Sequence, residues 1–244
     1  MFVLNDAREY VFPLFTVLAD ENANSINIDS RVYLGTAFFV TKRGDAVASA
    51  HTVPAPEDLP KGHRLVAIVV DEGIEKACWV THAARLDPFD FALVKVNLSK
   101  TKFLPVTTEE VSNGVDVLVL GIPDHELNAS GKEMRTLKGH VTLSGKRLEL
   151  NFPIPAGMSG APVFLDKKVA GYATGVARTE ELEDSLEEET IHKPTGELVV
   201  KRTEIKRIIS YGIARPFSQL KDYRDPVLSD KTLFEFIEEQ NRES

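Results

Sequence analysis

The hydrophobic positions of the chain fall in short runs that are rich in Val, Ile and Phe, and turn-forming residues separate these runs. Runs of this length and spacing are typical of strands in an all-β sandwich or barrel. Long amphipathic helical patterns are nearly absent from the middle of the chain. The runs span residues 31–41, 45–51, 65–70, 91–96, 115–120, 138–143, 147–152, 162–165 and 168–176.

The end of the chain follows a different pattern. Apolar side chains recur at helical spacing from Leu233 to Ile237, and Ser229 or Asp230 just before them is a good N-cap. The sequence therefore predicts a C-terminal α-helix within residues 229–244.

Length and composition limit the class of protein. The 244 residues, of which 43% are hydrophobic, fit one large all-β domain or two small ones. The single cysteine, Cys78, excludes an internal disulfide framework and any structural zinc site that needs two cysteines. The net charge of -8 argues against nucleic acid as a partner, and no apolar run approaches the roughly 20 residues of a membrane span. We expect no metal, no cofactor and no membrane partner.

The apolar segment 10–19 near the start is not typical of a signal peptide. Acidic residues flank it on both sides, whereas a signal peptide has a positive start and a small-residue cleavage site. We expect this segment to form an early strand or short helix, and the protein to be cytoplasmic.

Ser159 is the first candidate for chemistry, because Gly157 and Gly160 lie close on either side of it. Glycines permit a tight turn that can expose a hydroxyl and direct nearby N–H groups at one point, as in an oxyanion hole. The alternative is a plain Gly-Ser loop, since short motifs also match by chance.

A serine nucleophile needs a base, and the base needs an orienting acceptor. Of the six histidines, His51 stands out because it lies between a small-residue strand and a Pro-rich loop. Asp90 leads directly into the apolar run 91–96, where a charge is costly unless it is paired. Asp87 precedes a proline and is better explained as a turn residue. A structural histidine and a strand-capping aspartate remain the alternatives for His51 and Asp90.

The combination is more specific than its parts. The chain order is His51, Asp90, Ser159, with separations of 39 and 69 residues. This is the order of the chymotrypsin fold, whereas α/β-hydrolases run Ser–Asp–His and subtilisins Asp–His–Ser. An α/β-hydrolase would need a histidine after Ser159, and only His192 follows it.

Together these motifs resemble the trypsin-like (chymotrypsin-fold) serine proteases, and among them the Deg/HtrA type. The match is in register from about residue 31 to residue 220. The segments that carry it are Gly-Thr-Ala-Phe-Phe-Val (35–40), Ala-Ser-Ala-His (48–51), Asp-Phe-Ala-Leu-Val-Lys (90–95), Gly-Met-Ser-Gly-Ala-Pro-Val (157–163), 168–176 and 210–216.

The resemblance implies an all-β fold of two six-stranded antiparallel barrels with a C-terminal helix and a site in the cleft between the barrels. The chain would be a single peptidase domain, with barrels at about 1–105 and 106–228 and the helix at 229–244.

The resemblance also assigns roles. Ser159 would be the nucleophile, His51 the general base and then acid, and Asp90 the group that fixes the tautomer of His51. The backbone N–H groups of Gly157 and Ser159 would form the oxyanion hole.

Further positions would bind the substrate. Thr174, Gly175 and Val176 would pair with the peptide as a strand edge. Pro153 would lie at the base of the primary specificity pocket and Gly212 on its wall. Neither is charged, so we expect a small or apolar side chain before the scissile bond.

Two departures from the family pattern matter. Met158 stands where secreted members have an aspartate that pairs with the new N-terminus after activation, so we expect that zymogen switch to be absent. We also expect no PDZ module after Ser244, and the oligomeric state stays open.

Residues 180–189 hold seven acids and no base, which account for seven of the eight net negative charges. Such a run is usually an exposed, mobile loop. The alternative hypothesis is a regulatory loop near the specificity pocket that docks a protein partner.

The sequence thus predicts a serine endopeptidase that acts on protein or peptide substrates through an acyl-enzyme. The alternative is a catalytically idle protease-fold module for binding or scaffolding. An esterase with the same three residues is a third hypothesis.

Overall fold

A computed structural model describes residues 4–19, 26, 30–124, 133–192 and 198–242. Side chains are described throughout these ranges except at 4–6, 82–83, 178–192, 198–209 and 225. Strands dominate the described residues, as the pattern of short apolar runs predicts.

The first barrel closes through six antiparallel strands in the order β1-β2-β3-β6-β5-β4. Val11 on β1 faces outward into one core cluster, whereas Phe12 and Leu14 face the barrel interior. Both faces of the strand are therefore buried, which explains why its sequence is a continuous apolar run and not an alternating one. The strands are β1 (Val11–Leu18), β2 (Val32–Phe39), β3 (Asp45–Ser49), β4 (His63–Asp71), β5 (Ile74–Leu86) and β6 (Phe91–Val96).

The second barrel closes in the order β10-β11-β12-β9-β8-β7, again with antiparallel pairs. Its interior is filled by small and branched side chains such as Val119, Val141 and Leu150. The strands are β7 (Asp116–Gly121), β8 (Arg135–Leu143), β9 (Leu148–Leu150), β10 (Pro162–Leu165), β11 (Lys168–His192) and β12 (Leu198–Pro216).

A continuous set of aromatic rings joins the two barrels. Tyr172 of β11 lies 5.8 Å from Phe91 of β6 and 5.6 Å from Phe217, centroid to centroid. Phe217 in turn lies 6.4 Å from Phe38 of β2. All four side chains are fully buried, so the relative position of the barrels is set by close-packed rings.

A two-stranded sheet of β13 (Arg224–Asp225) and β14 (Lys231–Thr232) leads into helix α1 (Leu233–Arg242), which confirms the predicted C-terminal helix. The predicted N-cap is wrong, because Ser229 and Asp230 both take left-handed backbone angles, with φ of 59° and 57°. Thr232 caps the helix. Its hydroxyl accepts from the Glu235 N–H at 3.2 Å, and the Glu235 carboxylate accepts from the Thr232 N–H at 2.7 Å. That N–H holds the pKa of Glu235 below its usual value.

The acidic run is not a loop. Its backbone belongs to β11, which pairs with β12 as far as His192. Glu188 stands opposite Arg202 and Glu189 opposite Lys201 in the register. Opposite charges at paired positions favour an extended hairpin, which a one-dimensional count of acids does not reveal. The turn predicted at 192–196 lies largely outside the described residues, and a regulatory partner at this hairpin stays a prediction.

No helix within the described ranges is both long enough and apolar enough to span a membrane.

The packing of α1 gives a test of the core. Ile237 is 5% exposed and belongs to the cluster between the barrels, so Ile237→Ala leaves a cavity there. We expect the free energy of unfolding to fall by about 2–5 kcal/mol in urea titrations. The neighbouring Glu238→Ala loses only an exposed ion pair with Arg242. It should change the free energy of unfolding by less than about 0.5 kcal/mol. Equal effects of the two changes would contradict this packing.

Candidate active site

His51 and Asp90 meet because β3 and β6 are paired where each bears its functional residue. Ser49 at the end of β3 pairs with Phe91 at the start of β6. A 3-10 turn over Ala50–Thr52 then carries His51, and a second one over Asp87–Phe89 ends at Asp90. Two residues 39 positions apart are thus neighbours by strand register.

The Asp90 carboxylate holds His51 at both its backbone and its ring. Oδ1 accepts from the His51 N–H at 2.9 Å, and Oδ2 lies 2.8 Å from the ring Nδ1. An ionised carboxylate only accepts, so Nδ1 carries the proton, and the neutral ring keeps a lone pair on Nε2. The His51 side chain is 47% exposed and that of Asp90 22%, so the ring is open to solvent while its partner is shielded.

Tyr172 supports the backbone at Asp90 from the other barrel. Asp90 takes a left-handed φ of 52°, and its carbonyl accepts from the Ala50 N–H at 3.0 Å. The Tyr172 hydroxyl donates to the Phe89 carbonyl at 2.7 Å, in the peptide that enters Asp90. Burial, and to a lesser degree the Asp90 charge, raises the pKa of Tyr172. Sequence reasoning missed this residue, although a lone phenol in an apolar strand was a usable signal.

The loop that carries Ser159 is pressed against the first barrel. Gly160 has φ of 89°, and a Cβ there would lie 2.0 Å from the Thr36 carbonyl oxygen and 3.1 Å from the Ser49 nitrogen. The Thr36 N–H donates to the Ser159 carbonyl at 2.9 Å. The serine loop therefore meets the end of β3 at Ser49, two residues before His51. Only glycine fits at residue 160.

The N–H groups of Gly157 and Ser159 donate no hydrogen bond to any described residue. Their neighbours do, since Met158 N–H bonds to the Pro155 carbonyl at 3.1 Å and Gly160 N–H to that of Ala173 at 2.7 Å. Two donors without a described partner, one on Ser159 itself and one two residues before it, can stabilise a negative oxygen.

The Ser159 hydroxyl and the His51 ring form no hydrogen bond among the described contacts. In free enzymes such bonds are commonly long and tighten only when substrate binds.

The edge of β11 beyond Ala173, which itself bonds to Gly160 and Ala161, is paired on one side only within the described residues. Gly175 pairs with Ile213 and Val176 with Gly212 of β12, while β10 pairs with β11 no further than Tyr172. Thr174 falls at the bulge in this pairing and donates from its hydroxyl to the Ile213 carbonyl at 3.3 Å.

Of the two predicted pocket residues, Gly212 is buried against its neighbours. Its N–H donates to the Phe152 carbonyl at 2.7 Å, and a Cβ on it would lie 2.8 Å from Cγ1 of Ile154. Pro153, between those two neighbours, is exposed. Phe152 and Ile154 therefore contact Gly212, and sequence reasoning did not single them out.

No group of three or more His, Cys, Asp or Glu side chains in the described part of the chain is placed to hold a metal ion.

Comparison with known proteins agrees with this geometry. Residues 35–171 match the family model of the trypsin-like peptidase domain. Among solved structures, the chain is similar to an "HtrA-type protease AlgW with decapeptide", with a TM-score of 0.57 and 14% identity. That match covers 88% of this chain and 63% of the solved chain, so this chain spans less than two thirds of it. A search of curated proteins finds no match. The likeness confirms the predicted fold of two barrels.

The contact between Tyr172 and the Phe89 carbonyl can be tested by stability. Tyr172→Phe keeps the ring but leaves that carbonyl without its donor, so the free energy of unfolding should fall by about 1–3 kcal/mol. Tyr223→Phe removes a hydroxyl from a ring that packs on Phe89 and is 39% exposed, and should have little effect. Matching urea midpoints for Tyr172→Phe and the wild type would contradict the assignment.

The raised pKa of Tyr172 predicts a loss of stability in alkali. The unfolded phenol releases its proton near pH 10, whereas the folded one retains it, so above that pH the folded state binds more protons. Stability should then fall with rising pH by about 1.4 kcal/mol per pH unit for this residue. The free energy of unfolding should be measured at several pH values between about 10 and 12. Its decrease per pH unit should be smaller by that amount in Tyr172→Phe than in the wild type. Parallel slopes would argue against a buried phenol.

Proposed function

Because the chain belongs to the trypsin-like peptidase domain family, we propose that it is a serine endopeptidase that cleaves peptide bonds through a covalent acyl-enzyme. The observation that carries the proposal is the Asp90 carboxylate bound to Nδ1 of a solvent-open His51. It leaves Nε2 as the free base, and the serine loop meets the end of β3 at Ser49, two residues before His51.

The proposed reaction has two halves. The Ser159 oxygen attacks the substrate carbonyl while His51 takes the hydroxyl proton, and the tetrahedral intermediate collapses when His51 returns that proton to the leaving amine. Water then attacks the acyl-enzyme with His51 again as base, which releases the acid and restores Ser159. Asp90 keeps the ring in one tautomer and stabilises its cation.

The two unpaired N–H groups support the same proposal. In each half of the reaction the substrate oxygen gains negative charge, and the N–H groups of Gly157 and Ser159 have no other partner among the described residues. Donors fixed in advance stabilise that charge with no reorganisation when the reaction occurs.

The substrate class follows from the edge of β11. An extended peptide can add to the unpaired side of Thr174, Gly175 and Val176, with main-chain bonds supplying affinity. The similar HtrA-type structure is described with a decapeptide, which supports a peptide as the ligand here. The absence of charge at Pro153 and Gly212 supports a preference for a small or apolar side chain before the scissile bond. The single free cysteine supports a reducing, cytoplasmic site of action.

A fluorophosphonate probe gives the sharpest test, because it reacts only with an activated serine. The wild type and Ser99→Ala, which alters an exposed serine, should be labelled and should hydrolyse a peptide library. Ser159→Ala should not be labelled, and turnover should fall by roughly 10⁴–10⁶-fold, by analogy with proteases of the same triad.

Two other outcomes have a clear meaning. A folded wild type that is neither labelled nor active would overturn the proposal in favour of an idle binding module. Labelling with hydrolysis of esters but not of matched peptides would show an esterase instead.

A further inference from the structure

The loop that carries Ser159 lacks the charge that would anchor it in secreted members of the family. The residue before the serine is Met158, which is fully buried in the core of the second barrel. Its Cε would lie 3.0 Å from a Cβ placed on Gly121. An apolar side chain in this position packs well, but it cannot fix the orientation of the peptide groups on either side of it.

Two hydroxyls from the first barrel bind the loop where that charge is missing. The Tyr33 hydroxyl lies 2.7 Å from the Gly157 carbonyl oxygen and 2.6 Å from that of Ile122. The Thr36 hydroxyl donates to the same Gly157 carbonyl at 2.9 Å and accepts from the Ile122 N–H at 3.2 Å. Both side chains come from β2, whereas Gly157 and Ile122 belong to the second barrel's half of the chain.

The ring of Tyr33 also explains why residue 157 is glycine. A Cβ on Gly157 would lie 2.5 Å from the Tyr33 Cε1 and 2.5 Å from the Asp124 nitrogen, and φ is 88°. The ring and the Asp124 backbone therefore occupy the space on that side of the peptide. Only glycine permits this close approach in this conformation.

These contacts determine where the Gly157 N–H points. The Ala156 carbonyl accepts from the Asp124 N–H at 2.8 Å, and in a trans peptide the following N–H points the opposite way. Asp124 follows Ile122 by two residues, and the single Tyr33 O–H is shared between the carbonyl oxygens of Ile122 and Gly157. The Tyr33 hydroxyl thus contacts the peptide group between Gly157 and Met158. It also contacts the Ile122–Asp124 segment, whose Asp124 N–H holds the peptide group between Ala156 and Gly157.

We propose that Tyr33 is a positioning residue that holds the Gly157–Ser159 loop with its oxyanion-binding N–H groups directed at the substrate. This inference rests on the proposed function and extends it to the group that keeps the oxyanion hole formed. Rotation of either peptide around Gly157 would break a hydrogen bond that the phenol makes or supports. The hole is then preorganised from the first barrel without a charge pair inside the loop.

The phenol is suited to this role. Burial raises the pKa of Tyr33, so it keeps its proton throughout any neutral or mildly alkaline assay. Its ring also packs on Phe15, with centroids 5.4 Å apart. Tyr33→Phe can retain that packing and removes only the hydroxyl.

The test compares Tyr33→Phe with the wild type on peptide hydrolysis and on a peptidyl boronic acid, whose adduct with a serine is tetrahedral and anionic. We expect kcat to fall by about 10- to 100-fold, less than the 10²–10³ lost when a hole donor is removed outright. KM should change by less than about twofold, since the substrate strand edge is untouched. Boronate affinity should fall in parallel with kcat.

Two variants serve as controls. Tyr223→Phe removes a phenol hydroxyl outside this network and should leave kcat and boronate affinity unchanged. Thr36→Val removes the second hydroxyl on the Gly157 carbonyl while keeping the side-chain shape. Its effect on kcat should not add to that of Tyr33→Phe, because the two hydroxyls share one acceptor.

The outcomes separate the inference from the proposed function. A Tyr33→Phe protein that is less stable but has wild-type kcat and boronate affinity would overturn the positioning role and leave the peptidase intact. A rise in KM with unchanged kcat and boronate affinity would overturn the positioning role too. A wild type without peptidase activity or serine labelling would overturn the proposed function, and the inference with it.

Discussion

Close contact between the serine loop and the first barrel is the constraint on which the site depends. Gly160 touches the backbone of Thr36 and Ser49, and the Thr36 N–H binds the Ser159 carbonyl. Neither barrel contains the site alone, because Ser159 comes from one and His51 from the other. Any side chain at residue 160 would separate the barrels at the point where their functional groups meet.

The barrels support each other's functional groups through two tyrosines, of which Tyr172 is fully buried and Tyr33 partly buried. Tyr172 reaches from the second barrel to the peptide that enters Asp90, and Tyr33 reaches from the first to the peptide that follows Gly157. A phenol suits both positions, because its ring fills an apolar interface while its hydroxyl satisfies a buried carbonyl. The same interface that stabilises the fold therefore orients the polar groups of the site.

Sequence reasoning worked where the signal is local or depends on order along the chain. The strands and the final helix follow from runs of apolar residues, and the order His51, Asp90, Ser159 indicated the fold class. It failed at the acidic run and at the start of the helix. The acidic run pairs with β12 as a strand, and this register is not contained in a count of acids. Helix α1 begins at Leu233 with Thr232 and Glu235 as its cap, a local pair that was overlooked in favour of Ser229 and Asp230.

The sequence by itself determined the elements, the fold class and which residues are chemically able to act, because these depend on side-chain type, spacing and order. Only the tertiary structure decided that Asp90 faces Nδ1 of His51 and that two tyrosines cross between the barrels. It also decided that the N–H groups of Gly157 and Ser159 have no partner among the residues that the structure describes. Those features arise from strand register and close packing between residues far apart in the chain. No local pattern encodes such contacts, since each exists only when both barrels are folded together.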